Sequence, residues 1–162
     1  MIQRIQSLYL ALAAILSTVS LFSVVGKFVA GGAEAAHFTN FTISADPAQF
    51  TTVNGSGPWA LGALLIIVVL LNIATIFMFN HRMHQLRLTI FSTILLVGYI
   101  LVYAFFAWLF QGKLQSAAPD AGIHFQLCAS AVYPIVCLIL NIMAIHGIRK
   151  DERLVRSLDR IR

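Results

Sequence analysis

Four stretches of the chain run for about twenty residues or more with almost no charged side chain, at about 7–29, 58–80, 88–110 and 123–147. The hydrocarbon core of a bilayer is about 30 Å thick and takes about 20 helical residues to cross, so each stretch predicts a transmembrane helix. The first follows Arg4, as the apolar core of a signal peptide would. It is too long for one, and Lys27 followed by Gly31, Gly32 and Ala33 makes a poor cleavage site, so it is read as a retained helix. Pro58 and Trp59 open the second helix, and Trp108 and Phe110 close the third, at positions where amphipathic rings and a first-turn proline are favoured.

The polar stretches between these helices have patterns of their own. Residues 30–57 start with AGGAEAA, alternate in HFTNFTIS and again in QFTTV, and are punctuated by ADPA and NGSGP, which predicts a short β-hairpin in an outer loop. A sheet in the first outer loop of a four-helix bundle is also found in claudin-like proteins. Their tryptophan and cysteine signature is missing here, so the likeness is architectural. Asn40 stands in an N-F-T sequon. The fold class expected is an all-α membrane protein, with a four-helix transmembrane domain over 1–147 and a basic amphipathic tail over 148–162.

Composition sharpens this picture. Of 162 residues, 59% are hydrophobic and 10% charged, against about 25% charged in an ordinary soluble domain, which excludes a single water-soluble core. Arg4, Arg82, Arg87, Arg149, Lys150, Arg153, Arg156, Arg160 and Arg162 fall on one side of the predicted topology, and Lys27 and Lys113 on the other. Lys and Arg near membrane ends are retained in the cytoplasm, so both termini are expected there, with the 81–87 loop. The pI of 9.7 then reflects topology rather than a nucleic-acid partner.

Within the helices the informative residues are small or polar. Ala13, Ser17 and Ser20 recur at helical spacing and predict a seam against another helix, since lipid gives helices no hydrophobic reason to associate. Asn72 and Asn141, in the matching runs LNIATIF and LNIMAIH, are expected to form interhelical hydrogen bonds worth about 1 kcal/mol. Pro134, read as lying near the midplane, predicts a kink in the fourth helix.

Reactive chemistry is expected to be absent. All six carboxylates lie in loops or the tail, and Cys128 and Cys137 are nine residues apart on one predicted helix, beyond disulfide reach. His81, His84 and His146 would form a metal cluster only if helices two and four were adjacent, and no carboxylate or thiolate accompanies them. No catalytic, cofactor-binding or metal-binding residue is therefore assigned. An alternative is a small-molecule or lipid-handling transporter acting as a homo-oligomer, with Asn72, Asn141, Tyr133 and Pro134 lining its site.

The tail, IRKDERLVRSLDRIR, keeps helical spacing, with Leu154, Val155, Leu158 and Ile161 forming an apolar stripe flanked by Arg153, Arg156 and Arg160. Such a helix lies on the anionic lipid of the cytoplasmic face or docks on another integral membrane protein. The start MIQRIQSLYLALAAI and the end GIRKDERLVRSLDRIR, bracketing four hydrophobic helices, resemble a family of Bacteroidetes membrane proteins known as a domain of unknown function. That resemblance implies a bacterial inner-membrane location and supplies no activity. The role expected is a non-enzymatic accessory or structural subunit of a larger inner-membrane complex, in protein export or envelope biogenesis.

Overall fold

The computed structural model describes residues 3–45, 57–78, 82–117, 119 and 122–159. It is mostly helical, with one small antiparallel sheet. Helix α1 spans Gln3–Phe22 and is followed by strands β1 (Val24–Ala30), β2 (Ala33–Thr39) and β3 (Ile43–Ala45). Helices α2 (Trp59–Phe77) and α3 (Arg82–Ala117), strand β4 (His124–Leu127) and helix α4 (Tyr133–Asp159) complete the order, with a single 3-10 turn at Ala129–Val132 leading into α4.

Among the described residues, three helices are long and apolar enough to cross a membrane: Trp59–Phe77, Met83–Ala117 and Ala129–Lys150, the last including the 3-10 turn. The apolar part of α1, Ser7–Phe22, is shorter. The expected first span of 7–29 is corrected here, because the chain leaves the helix at Phe22 and residues 24–30 become β1. Lys27 supplies a physical reason. In a continued helix its ammonium would sit in the last apolar turn without a carboxylate partner from the same helix, whereas on β1 it pairs with Glu34 of β2.

The sheet has the order β3-β2-β1-β4 and every pairing is antiparallel. Gly31 and Gly32 make the two-residue turn between β1 and β2, with φ of 58° and 88°, the left-handed values that a tight hairpin of matching twist requires. The predicted strand HFTNFTIS is split at Asn40, where Thr42 N–H donates to Thr39 Oγ1 at 3.0 Å and Thr39 N–H to Thr42 O at 3.0 Å. The second half of the expected hairpin, QFTTV, lies outside the described residues. Strand β4 comes from the start of the expected fourth helix and pairs with β1, Phe28 opposite Phe125.

That pairing also corrects the expected kink. Pro134 is the second residue of α4, in a first turn whose amide has no intrahelical partner to lose, so it starts the helix instead of bending it.

The helices form a ring in chain order: α1 packs on α2 and α4, and α3 packs on α2 and α4, so that α2 and α4 are diagonal. The long α3 presents one inward stripe, Gln85, Thr89, Ser92, Leu96, Tyr99, Ala107, Phe110 and Leu114, with spacings of three and four, and one of eight after Tyr99, that keep side chains on one face. Where it meets the sheet, the stripe joins Phe28 and Phe38 in one apolar cluster. The sheet thus closes one end of the bundle, and the α2–α3 connection and the end of α4 define the other, called here the tail end.

Candidate functional site: polar nodes inside the bundle

The described interior holds nine buried polar residues, and most of them fall into three nodes. Nearest the sheet, Asn40 emerges from the end of β2 and is fully buried. Its Nδ2 donates to Ser20 O at 2.7 Å and to Leu21 O at 3.4 Å, carbonyls of the last turn of α1. Gly62 N–H, in the first turn of α2, donates to Asn40 O at 3.0 Å, and Tyr99 Oη of α3 donates to Asn40 Oδ1 at 2.7 Å. Helix ends leave orphan carbonyls and amides that are expensive to bury unpaired. One asparagine thus caps the end of α1 and the start of α2 while tying both to α3. The sequon residue is consumed by this role, with its amide nitrogen bonded inside the protein.

The second node is the seam predicted from α1. Ala13, Ser17 and Ser20 are all buried, and Ser17 Oγ donates to Ala13 O at 2.7 Å, with Cys137 Sγ of α4 3.4 Å away. Small side chains here let α1 and α4 approach closely.

The third node joins the two asparagines of the matching runs. They are diagonal neighbours linked through α3: Ser92 Oγ donates to Asn72 Oδ1 at 3.0 Å and accepts from Asn141 Nδ2 at 3.2 Å. Thr75, Gln85 and Thr89 are buried on the tail-end side of this node. The hydroxyls of Thr75 and Thr89 donate back to Leu71 O and Gln85 O.

A charged cluster lies on the sheet. Lys27, Glu34 and His37 meet across β1 and β2, with Lys27 Nζ on Glu34 Oε1 and His37 Nε2 3.6 Å from Glu34 Oε2. Its hydrogen bond from Lys27 holds the Glu34 carboxyl below the usual carboxylate range, and Lys27 is correspondingly raised. Two cavities flank the sheet end. One is an open cleft of about 810 Å³ beside Trp108, Lys113, Gln115 and His124, and the other an apolar crevice of about 160 Å³ between Tyr99, Tyr103, Cys128 and Ile135.

A cluster of His81, His84 and His146 would have required α2 and α4 to be adjacent, and they are diagonal. His84 and His146 are exposed on α3 and α4, and His81 lies outside the described residues. Among the described residues no group of three histidines, cysteines or carboxylates lies close enough to hold a metal. Helix α4 continues unbroken through the tail as far as Asp159. The side chains of Arg153, Leu154, Val155, Arg156 and Leu158, and the residues Arg160 and Ile161, lie outside the described residues.

Asn40, Tyr99, Ser92, Thr89 and Gln85 escape the sequence reading. A signal for the last four was present in the four-three-four spacing along α3, which puts polar and aromatic residues on one face. Asn40 carried none, because its partners come from three other elements.

The curated proteins contain no match to this chain. A family model described as a domain of unknown function, DUF4293, matches residues 2–161, and the chain belongs to that family.

Proposed function

We propose that the protein is a non-enzymatic accessory subunit of a larger bacterial inner-membrane assembly, crossing the membrane four times with both termini cytoplasmic and the sheet outside. The observation that carries this reading is the course of α4, which continues past its apolar segment, ending at Lys150, to Asp159. Nine further helical residues extend it by about 13 Å. A basic helical arm continuing from a bundle whose buried amides and hydroxyls tie its own helices together is suited to holding a partner. The charge bias of the sequence puts the arm in the cytoplasm, and an apolar stripe at Leu154, Val155, Leu158 and Ile161 suits docking on another integral membrane protein. Export or envelope biogenesis is the setting we favour for such an assembly.

The experiment is purification in mild detergent through an affinity tag inserted between residues 46 and 56. Other membrane proteins recovered in fixed ratio are the expected result. Recovery of monomer or homo-oligomer alone overturns the reading. The transporter alternative, expected to line its site with Asn72, Asn141, Tyr133 and Pro134, finds of these only Pro134 in the apolar crevice, beside Tyr103 and Ile135, while the two amides bond Ser92. Homo-oligomer alone, with a photoreactive phospholipid crosslinking to Ile135, favours it.

A further inference from the structure

The node at Ser92 is incomplete. Asn72 Nδ2 and Asn141 Oδ1 are both buried and have no hydrogen-bond partner, while the other polar atom of each amide bonds Ser92. What remains open is one donor and one acceptor, on helices that face each other across the bundle. This pairing survives reversal of the chain of bonds. A serine hydroxyl donates one hydrogen, so if Asn72 donated to Ser92 and Ser92 to Asn141, the open atoms would be Asn72 Oδ1 and Asn141 Nδ2, again one acceptor and one donor. Leaving buried amide atoms unpaired is costly, so two at one node call for an occupant.

The open pair also selects the chemistry of that occupant. A cation would need several oxygens and find one, and an anion would find one donor facing one acceptor. A neutral group that both accepts and donates satisfies the pair. We propose that a single buried water bridges Asn72 and Asn141, closing a ring with Ser92 that joins α2, α3 and α4. Proteins hold on the order of one buried water per 27 residues, typically with two to four hydrogen bonds. Further polar side chains lie close by in the fold. Thr75 is three residues after Asn72 on α2, Thr89 three before Ser92 on α3, and Gln85 four before that, all buried. Because α2 runs toward the tail end and α3 away from it, these residues lie on the tail-end side of the node and mark a polar track about 15 Å long from the start of α3. Water enters from that end.

Asn40 is the internal control. It is as buried as Asn72 and Asn141, but its amide nitrogen is bonded to α1 carbonyls and its oxygen to Tyr99. Protein labelled with 13C,15N-asparagine, reconstituted in phospholipid vesicles, is examined by water-edited solid-state NMR, which reads magnetisation transferred from water to each side-chain amide. The Asn72 and Asn141 amide signals are expected to build up several-fold faster than that of Asn40. An Asn72→Leu variant assigns the signals, and the water transfer to Asn141 is expected to fall in it. Asn72 or Asn141 as dry as Asn40 in the unaltered protein overturns the proposal, and so does equal wetting of all three, which would report a loose bundle.

Discussion

Asn40 joins α1, α2, α3 and β2 through bonds from both ends of its side chain and from its own carbonyl. Asn40→Ala removes the two side-chain links and strands buried partners, so it is expected to cost about 3 kcal/mol, with Tyr99→Phe costing about 1 kcal/mol. Unfolding titrations of the single and double variants in detergent check this, and the pair is expected to couple by about 1 kcal/mol or more. The sheet charges behave differently. Glu34 has a lowered folded pKa, so its contribution is present at neutral pH and lost as pH falls through the carboxylate range. Lys27 has a raised one, so its contribution is lost only as pH rises beyond the ordinary lysine range. Amide exchange in the β1–β2 hairpin, corrected for its intrinsic pH dependence, is expected to show constant protection between about pH 6 and 9 and a loss of protection below about pH 4. Loss of protection within the neutral window would show that another group controls the hairpin.

At the scale of elements, the contacts that set α1 are steric. Ser17→Leu forces a large side chain into the seam with α4 and is expected to cost about 1–3 kcal/mol, whereas Ser17→Ala is expected to cost about 1 kcal/mol or less. Thermal unfolding of the two variants separates volume from hydrogen bonding. The start of α2 gives a second test. A Cβ at Gly62 would stand 2.2 Å from the ring of Phe41, and one at Gly57 only 1.9 Å from the Phe41 backbone oxygen. Phe41→Ala is therefore expected to rescue Gly62→Ala and leave Gly57→Ala as damaged as before, read by melting temperature. The sequence made the helices legible wherever charge-free length decides the outcome, as in α2 and most of α3. It misplaced the end of α1 and the start of α4, because residues 24–30 and 123–132 are as apolar as a membrane helix. Long-range pairing of Val24–Ala30 with both β2 and β4, together with the Lys27–Glu34 ion pair, makes the first of them a strand. The Asn72 and Asn141 amides were legible as polar groups needing partners, but Ser92 as their common bridge depends on the ring order of the helices.

At the scale of the whole molecule, the proposed division is between a self-contained bundle and an arm that docks. Leu154→Asp or Leu158→Asp is expected to release co-purifying proteins while leaving the bundle inserted and its melting temperature unchanged. Changing Arg153, Arg156 and Arg160 to Gln acts more weakly and in a salt-dependent way if the arm docks on protein, since exposed charges contribute about 0–1 kcal/mol each. If the arm lies on anionic lipid, the arginine changes weigh as much as the leucine changes, at about 1 kcal/mol per basic residue. Co-purification of both sets at low and moderate salt distinguishes the two. The sheet operates at this scale too, since β4 links the second half of the chain to the first through Gly26 and Leu127.

That lacing sets a timetable for synthesis. Strand β1 emerges from the ribosome early, but its partner β4 follows only after α2 and α3 have been made. At about 5–20 residues per second, a delay of about 100 residues leaves one edge of β1 open for about 5–20 seconds. Throughout that interval the β1–β2 hairpin is an unfinished sheet with a bare row of backbone donors and acceptors, the state in which strands pair with the wrong chain. The nascent protein is thus most vulnerable until β4 has been made, after its third helix, and a factor guarding that edge would be needed during translation and dispensable afterwards.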